Sequence, residues 1–207
     1  LGTDIGDLGD DKENYRWTFL KENHLMRDNY DPMIGLGKAF SLSGTNLEYQ
    51  IRQVMDVDEW ARAVALLSLI GSDDMYTYGN SHNLVIYFRP EDNRGMAFLW
   101  DLDYSFVASV NKAFPGNGSA NTYKIITTIP DVYRRYYHHL YDLTSITGDS
   151  AFMTDWANRY AGLLAENWSG VVNYLVQRAN FVRSYLPLTA NFAIITNSGG
   201  FVATSNT

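Results

Sequence analysis

The chain contains no cysteine. This excludes disulfides, thiolate zinc sites and thiol nucleophiles, and leaves the redox compartment open. Basic residues are scarce, with 16 Lys and Arg against 23 Asp and Glu for a net charge of −7. Duplex nucleic acid is therefore not an expected partner, because binding its phosphates requires a basic face. Long hydrophobic runs are also missing. The longest apolar stretch, residues 61–70, is interrupted by Arg62 and Ser68, far short of the about 20 residues that span a bilayer. There is no internal repeat and no low-complexity tract. Nothing resembling a signal peptide follows Leu1, and Leu1-Gly2-Thr3 is not a natural start. The chain therefore reads as a piece of a longer polypeptide.

What is present is globular composition. The 207 residues are 46% hydrophobic and 19% charged, enough for one sizeable domain with a small appendage. Aromatic content is 14%, with fifteen tyrosines, which suits a packed core with polar-tipped rings at its margin.

Residues 1–14 are rich in Gly and Asp and read as an entering loop. Asp4, Asp7, Asp10 and Asp11 lack the Glu that closes a calcium loop, so a solvated acidic turn is expected. Residues 15–23 fit either a short helix or a strand. Asp31-Pro32 ends what precedes it, 33–42 reads as a short helix, and 43–46 as a turn.

The clearest element follows Asp56. Asp56 and Glu59 have capping-box spacing, and the acids of the first turn suit the positive end of the helix dipole. Trp60, Val64 and Leu67, with Ala61, Ala65 and Leu69, cover more than one face, which predicts a helix buried on most sides. Gly71 stops it. A polar loop over 72–82 leads into the β-rich run 83–88, a turn over 89–95, and a second apolar run over 96–100, so a β-hairpin is expected. Residues 108–122 read as a loop. Helices are predicted from Pro130 or Asp131 to Leu143, from Asp149 or Ser150 to about Ala165, and from Ser169 to Tyr185, with Pro187 ending the last. Residues 191–196 and 201–203 then read as a strand pair about the turn 197–200.

Polar groups on rigid supports concentrate between Asp73 and Asp103. If the hairpin closes, Asn83 at its start lies beside Asp101 at its end, and the preceding loop can bring Asp74 to the same edge. Two or three carboxylates and an amide oxygen are hard ligands suited to Mg²⁺ or Mn²⁺, which keep other positions for substrate phosphates. A nearby Asp that orients a hydroxyl completes the division of labour of phosphoryl transfer. The same residues also read as turn formers and strand caps. A carboxylate pair for glycoside hydrolysis is a further reading that nothing in the spacing selects.

Four segments together resemble the CotH kinase family, named for spore coat protein H. They are Asp56-Val-Asp-Glu-Trp60, Ile70-Gly-Ser-Asp-Asp74, His82-Asn83, and Trp100-Asp101-Leu102-Asp103-Tyr-Ser-Phe106. The resemblance covers about residues 14–187 and is strongest over 56–106. It implies an α+β, mainly helical fold: a divergent protein-kinase-like C-lobe with a short β-hairpin at the site, followed by a C-terminal strand pair. It also implies transfer of the ATP γ-phosphoryl group to Ser or Thr of a protein with Mg²⁺ or Mn²⁺. On this resemblance Asp74 is the catalytic residue that orients the acceptor hydroxyl, with Asp73 as the alternative. Asn83 and Asp101 hold metal, and Asp103 is a secondary metal candidate.

The chain departs from the pattern in three places. Nine positions separate Asp74 from Asn83, a wider gap than the Asp-x-x-x-x-Asn of kinase catalytic loops. Phe106 is followed by Val107 where the motif has Gly. No kinase-type Gly-rich loop is present, and Lys12, Lys21 and Lys38 do not lie in a Val-Ala-x-Lys-like strand. Residues 1–189 are accordingly expected to be a C-lobe whose N-lobe precedes Leu1, inactive as this piece, and 190–207 to begin a following β segment. The alternative is a pseudokinase or structural module of a large secreted or cell-surface bacterial protein. The bacterial extracellular setting, and a protein substrate or neighbouring domains as partners, come from the resemblance alone.

The remaining conspicuous residues have plainer readings. His138 and His139 are adjacent on a helix and so point about 100° apart, which makes them poor joint ligands. Arg134 and Arg135 read as solvated surface. Trp156, Tyr160 and Leu163 or Leu164 recur at helical spacing and are expected in the core. Asn117-Gly-Ser and Asn167-Trp-Ser fit glycosylation acceptors in a eukaryotic secretory setting.

Overall fold

The computed structural model describes residues 4–72, 74, 76, 83–116 and 121–186, and the backbone of 193–197 and 200–204. The chain is mainly helical, with two separate antiparallel strand pairs. In chain order the elements are α1 (Lys12–Thr18), α2 (Asp31–Phe40), α3 (Gly44–Val54), α4 (Val57–Ile70), β1 (Leu84–Phe88), β2 (Gly95–Leu99), α5 (Asn121–Thr128), α6 (Pro130–Thr147), α7 (Ser150–Leu164), α8 (Ser169–Tyr185), β3 (Ala193–Asn197) and β4 (Gly200–Thr204). None of the helices described is long and apolar enough to cross a membrane.

Helix α4 is the centre of the fold and packs most extensively on α6. The Asp56 carboxylate caps it by accepting from the Glu59 N–H at 3.2 Å, and Gly71 ends it in the left-handed region at φ 60. The capping box is only half made. The Glu59 carboxylate does not return to the Asp56 N–H; it accepts from the Ala97 N–H of β2 at 2.7 Å. The Asp56 N–H donates instead to the Gly95 carbonyl at 3.0 Å. Trp60 is fully buried, lies edge-on to Phe40 at 5.8 Å, and donates its indole N–H to the Gly95 carbonyl at 2.8 Å. The start of α4 thus fixes where the hairpin sits.

The hairpin pairs Leu84 with Leu99 and Phe88 with Gly95. Because side chains alternate across a strand, Leu84, Ile86, Phe88 and Leu99 pack on the core. Tyr87 and Phe98 lie on the other face, exposed and edge-on to each other at 6.0 Å.

Several expectations are corrected by packing. The turn expected at 43–46 is the start of α3, because Leu47 and Ile51, four apart, bury one stripe against the core. The loop expected over 108–122 gives way to α5 at Asn121, where Ile125 and Ile126 are buried. Residues 117–120 lie outside the described set. Of the ambiguous segment 15–23, only 15–18 are helical, as the end of α1, which starts earlier because Asp11 caps it; Phe19 leaves the helix with extended backbone. The N-terminal acids do not form a merely solvated turn. Asp4 accepts from the Asn121 N–H at 2.7 Å at the start of α5, and Asp10 pairs with Lys38.

The largest correction concerns α7. Trp156, Tyr160, Leu163 and Leu164 were expected in the core, yet all four are exposed and no residue of α7 is buried. The helix is peripheral, and its rings stack along its own surface, Trp156 on Tyr160 at 6.1 Å.

Helix α8 carries a buried cation that gave no sequence signal. Arg178 is fully buried, and its guanidinium donates to the carbonyls of Ser68, Val110 and Lys112, with the Nη2–Ser68 bond at 2.9 Å. It joins the last turn of α4, which is the negative end of that helix dipole, to the segment after the hairpin. Among the described residues, β3 and β4 pair only with each other.

Candidate functional site

The site expected from sequence gathers where α4 ends and the hairpin opens and closes. Gly71 turns the chain out of α4 in a conformation that favours glycine. Tyr174 of α8 stands behind it: a β-carbon at Gly71 would lie 1.8 Å from the Tyr174 hydroxyl. Asp74 follows, half-buried. The alternative Asp73, together with His82, lies outside the described residues.

Asp74 and Asn83 meet although they are nine positions apart. The Asn83 amide donates to the Asp74 carbonyl at 2.9 Å and to its carboxylate Oδ2 at 3.0 Å. The bond to a carboxylate is charge-assisted and stronger than a neutral one. With Nδ2 committed to Asp74, the Asn83 Oδ1 is the atom left to face a ligand.

Asp101 lies two residues beyond Leu99, the partner of Leu84, so Asn83 and Asp101 occupy the same end of the hairpin. Both have left-handed backbone, at φ 58 and φ 54, a conformation that Asn and Asp tolerate best among non-glycine residues. Asp101 and Asp103 are exposed and make no hydrogen bond or ion pair to other described residues. No three His, Asp or Glu side chains among the described residues come together in a group that could hold a metal ion. A cation here would therefore take Asn83 and one or two carboxylates, with water or phosphate completing its shell, which is the way Mg²⁺ is commonly held.

Three supporting features had no place in the sequence reading. The Glu59 carboxylate anchors β2, and burial pushes its carboxyl up, offset in part by the Ala97 N–H. Its place in the capping box was visible in sequence; its partner on a strand was not. Tyr87 and Phe98 form an exposed aromatic pair on the solvent face of the hairpin, and Trp100, just beyond β2, is exposed as well. Ser72 and Ser105 are buried, and their hydroxyls have no hydrogen-bond partner among the described residues. The Phe106 N–H donates to the Ile70 carbonyl at 2.8 Å, so the segment after Asp103 returns to the end of α4.

Arg135, His138 and His139 of α6 serve other contacts. His139 Nε2 lies 3.1 Å from Asp58, which Arg135 also pairs with at 3.0 Å, and His138 lies 3.4 Å from Asp142. Burial raises the Asp58 carboxyl, and Arg135 and His139 more than offset this, so it sits below its ordinary value.

Compared with known protein families, curated proteins and solved structures, the chain matches none.

Proposed function

We propose that this chain supplies the acid–amide part of a metal-dependent phosphoryl-transfer site of the CotH kinase kind, on a kinase-like C-lobe. The observation that carries the reading is the Asn83–Asp74 pair. The hydroxyl-orienting acid and the metal-binding amide are bonded at 3.0 Å despite their long sequence separation. Asp74 orients the Ser or Thr hydroxyl of a protein substrate. Asn83 Oδ1 and Asp101 hold Mg²⁺ or Mn²⁺ against the ATP phosphates, with Asp103 within the same turn. The exposed Tyr87–Phe98 pair offers a π-surface for a nucleobase, since every base can stack on an aromatic ring. Positioning and charge stabilisation are most of what phosphoryl transfer asks of a protein.

A second reading, a pseudokinase or structural module of a secreted or cell-surface bacterial protein, is favoured by one observation. Asp101 and Asp103 stand in solvent with no described residue fixing their orientation, whereas electrostatic catalysis requires a preorganised site.

The test uses a polypeptide extended upstream of Leu1 to carry the lobe this reading requires. Calorimetry with ATP and Mn²⁺ is expected to show binding that Asp101→Ala abolishes. Asp74→Ala is expected to keep binding and stop transfer to a protein substrate, because it removes only the alignment of the acceptor. Absence of nucleotide binding in that polypeptide establishes the structural reading instead.

A further inference from the structure

The two edges of the β1–β2 hairpin are not equivalent. The Gly95 carbonyl accepts from the Asp56 N–H at 3.0 Å, and the Ala97 N–H donates to the Glu59 carboxylate at 2.7 Å. Both groups of β2 therefore point away from β1. In an antiparallel pair, residues that point outward alternate with those that exchange bonds across the ladder. Ile86 and Phe88 stand opposite Ala97 and Gly95, so they turn their own N–H and C=O groups away from β2, and Leu84 does so by the same alternation. The Arg89 N–H donates to the Arg94 carbonyl at 3.0 Å, which puts Arg89 in the alternate set, as this pattern requires.

The start of α4 thus occupies the β2 edge, while the β1 edge is open. No backbone group of Leu84, Ile86 or Phe88 bonds to a described residue outside the hairpin. Edge strands are usually blunted by a charge, a proline or a bulge. Leu84-Val85-Ile86-Tyr87-Phe88 has no charge and no proline, and its register with β2 is unbroken. Such an edge takes another strand, held by main-chain hydrogen bonds.

The open residues themselves select the strand. They are symmetric about Ile86. A second copy of β1, antiparallel and related by a two-fold axis at Ile86, sets Ile86 against Ile86 and Leu84 against Phe88. Each such pair exchanges two bonds, so every open N–H and C=O of both copies is satisfied. On the solvent face Val85 then lies against the second copy's Tyr87, a β-branched and aromatic pairing that favours a sheet. Charge selects the antiparallel arrangement. A parallel one would bring the two acidic ends together, each with Asp74, Asp101 and Asp103. The two-fold one sets that end against the turn, where Arg89 and Arg94 balance Glu91 and Asp92.

We propose that β1 is a self-pairing edge, through which two copies of this chain join their hairpins into one antiparallel sheet of order β2-β1-β1-β2. The proposal stands independently of the phosphoryl-transfer reading. So short an edge makes a small interface of the weak class, and a dissociation constant on the order of 0.1 mM is expected.

The test is sedimentation equilibrium of the 207-residue chain from about 10 µM to about 1 mM, a range that brackets this affinity. A monomer–dimer equilibrium is expected, and hydrogen exchange at the Leu84, Ile86 and Phe88 amides is expected to slow as concentration rises. Val85→Lys with Tyr87→Lys sets like charges against each other across the two-fold axis and should weaken the dimer about fivefold or more. Val85→Lys with Tyr87→Glu sets lysine against glutamate and should restore it. The exchange measurement needs no substitution, so it decides even if a variant folds poorly. A chain that stays monomeric at about 1 mM overturns the proposal, and this is the result if the edge serves an extended segment of another protein instead. A dimer that leaves exchange at the three amides unchanged, or equal dimerisation of the two charge variants, overturns it as well.

Discussion

The side-chain amide of Asn83 donates to both the backbone carbonyl and the carboxylate of Asp74, at 2.9 and 3.0 Å. One side chain thereby fixes the loop that carries the acid to the strand that opens the hairpin. Asn83→Asp keeps a residue that tolerates left-handed backbone, removes both donors, and places two carboxylates side by side. Like charges at this distance raise the pKa of one of them. A carboxyl raised in the folded state contributes stability at low pH that is lost as pH rises. The urea midpoint of the variant should therefore fall more at about pH 7 than at about pH 4.5, relative to the parent chain. Equal losses at both would show that the two side chains are not neighbours in solution.

Gly71 and Tyr174 form the second constraint on this loop. Gly71→Ala puts a β-carbon where the Tyr174 hydroxyl stands and forces a non-glycine residue to φ 60. A loss of roughly 2–4 kcal/mol is expected from strain and overpacking together. The Tyr174 hydroxyl has no partner among the described residues, so Tyr174→Phe should be near neutral by itself. In the Gly71→Ala background it should recover part of the loss. A double-mutant cycle that shows strict additivity would refute the clash.

Trp60 is the largest fully buried side chain among the described residues, and it links α4 to both Phe40 and the hairpin. Trp60→Ala should cost roughly 3–5 kcal/mol, as deletions of large buried aromatics do. Trp60→Phe retains most of the packing but leaves the Gly95 carbonyl with one donor fewer, so it should lie between the two. Thermal denaturation checks both. A shift of only a degree or so for the alanine variant would place the helix outside the core.

Asp131 opens α6 and pairs with Arg52 of α3 and, at 3.7 Å, with Arg135. Burial raises its carboxyl, and the Arg52 guanidinium outweighs this, so the group sits below its ordinary value of 3.8 in the folded chain. A lowered carboxyl contributes stability that is complete above the unfolded value and is lost as pH falls through the folded one. Asp131→Asn should therefore narrow the difference in melting temperature between near-neutral pH and about pH 3. The same difference in both proteins would mean that the pair carries no linkage.

Local signals decided much of this chain. Asp56 before an apolar run, Gly71 after it, Pro130 near a helix start and Asp149 before α7 are end markers whose effect is confined to one turn, so they act whatever surrounds them. Short continuous apolar runs about a polar turn mark both strand pairs for the same reason. Spacing also brought Asp74, Asn83, Asp101 and Asp103 to attention, and the fold joins the first two by hydrogen bonds while putting Asp101 at the same end of the hairpin as Asn83.

Tertiary structure decided what lies inside. The aromatic stripe of α7 and the apolar faces of α4 have similar local patterns, yet only α4 meets partners on several sides, since apolar spacing specifies a face and not what covers it. Arg178 shows the converse. Read along the chain it is a charged residue on a surface helix; in the fold it is buried, because three carbonyls from distant segments converge on its donors. The partner of Glu59 is likewise a strand residue 38 positions away. Sequence by itself determined where α4, α7, α8 and the first strand pair begin and end, and where their polar groups lie along the chain. Which of those groups face one another was decided by long-range packing, which no local window contains.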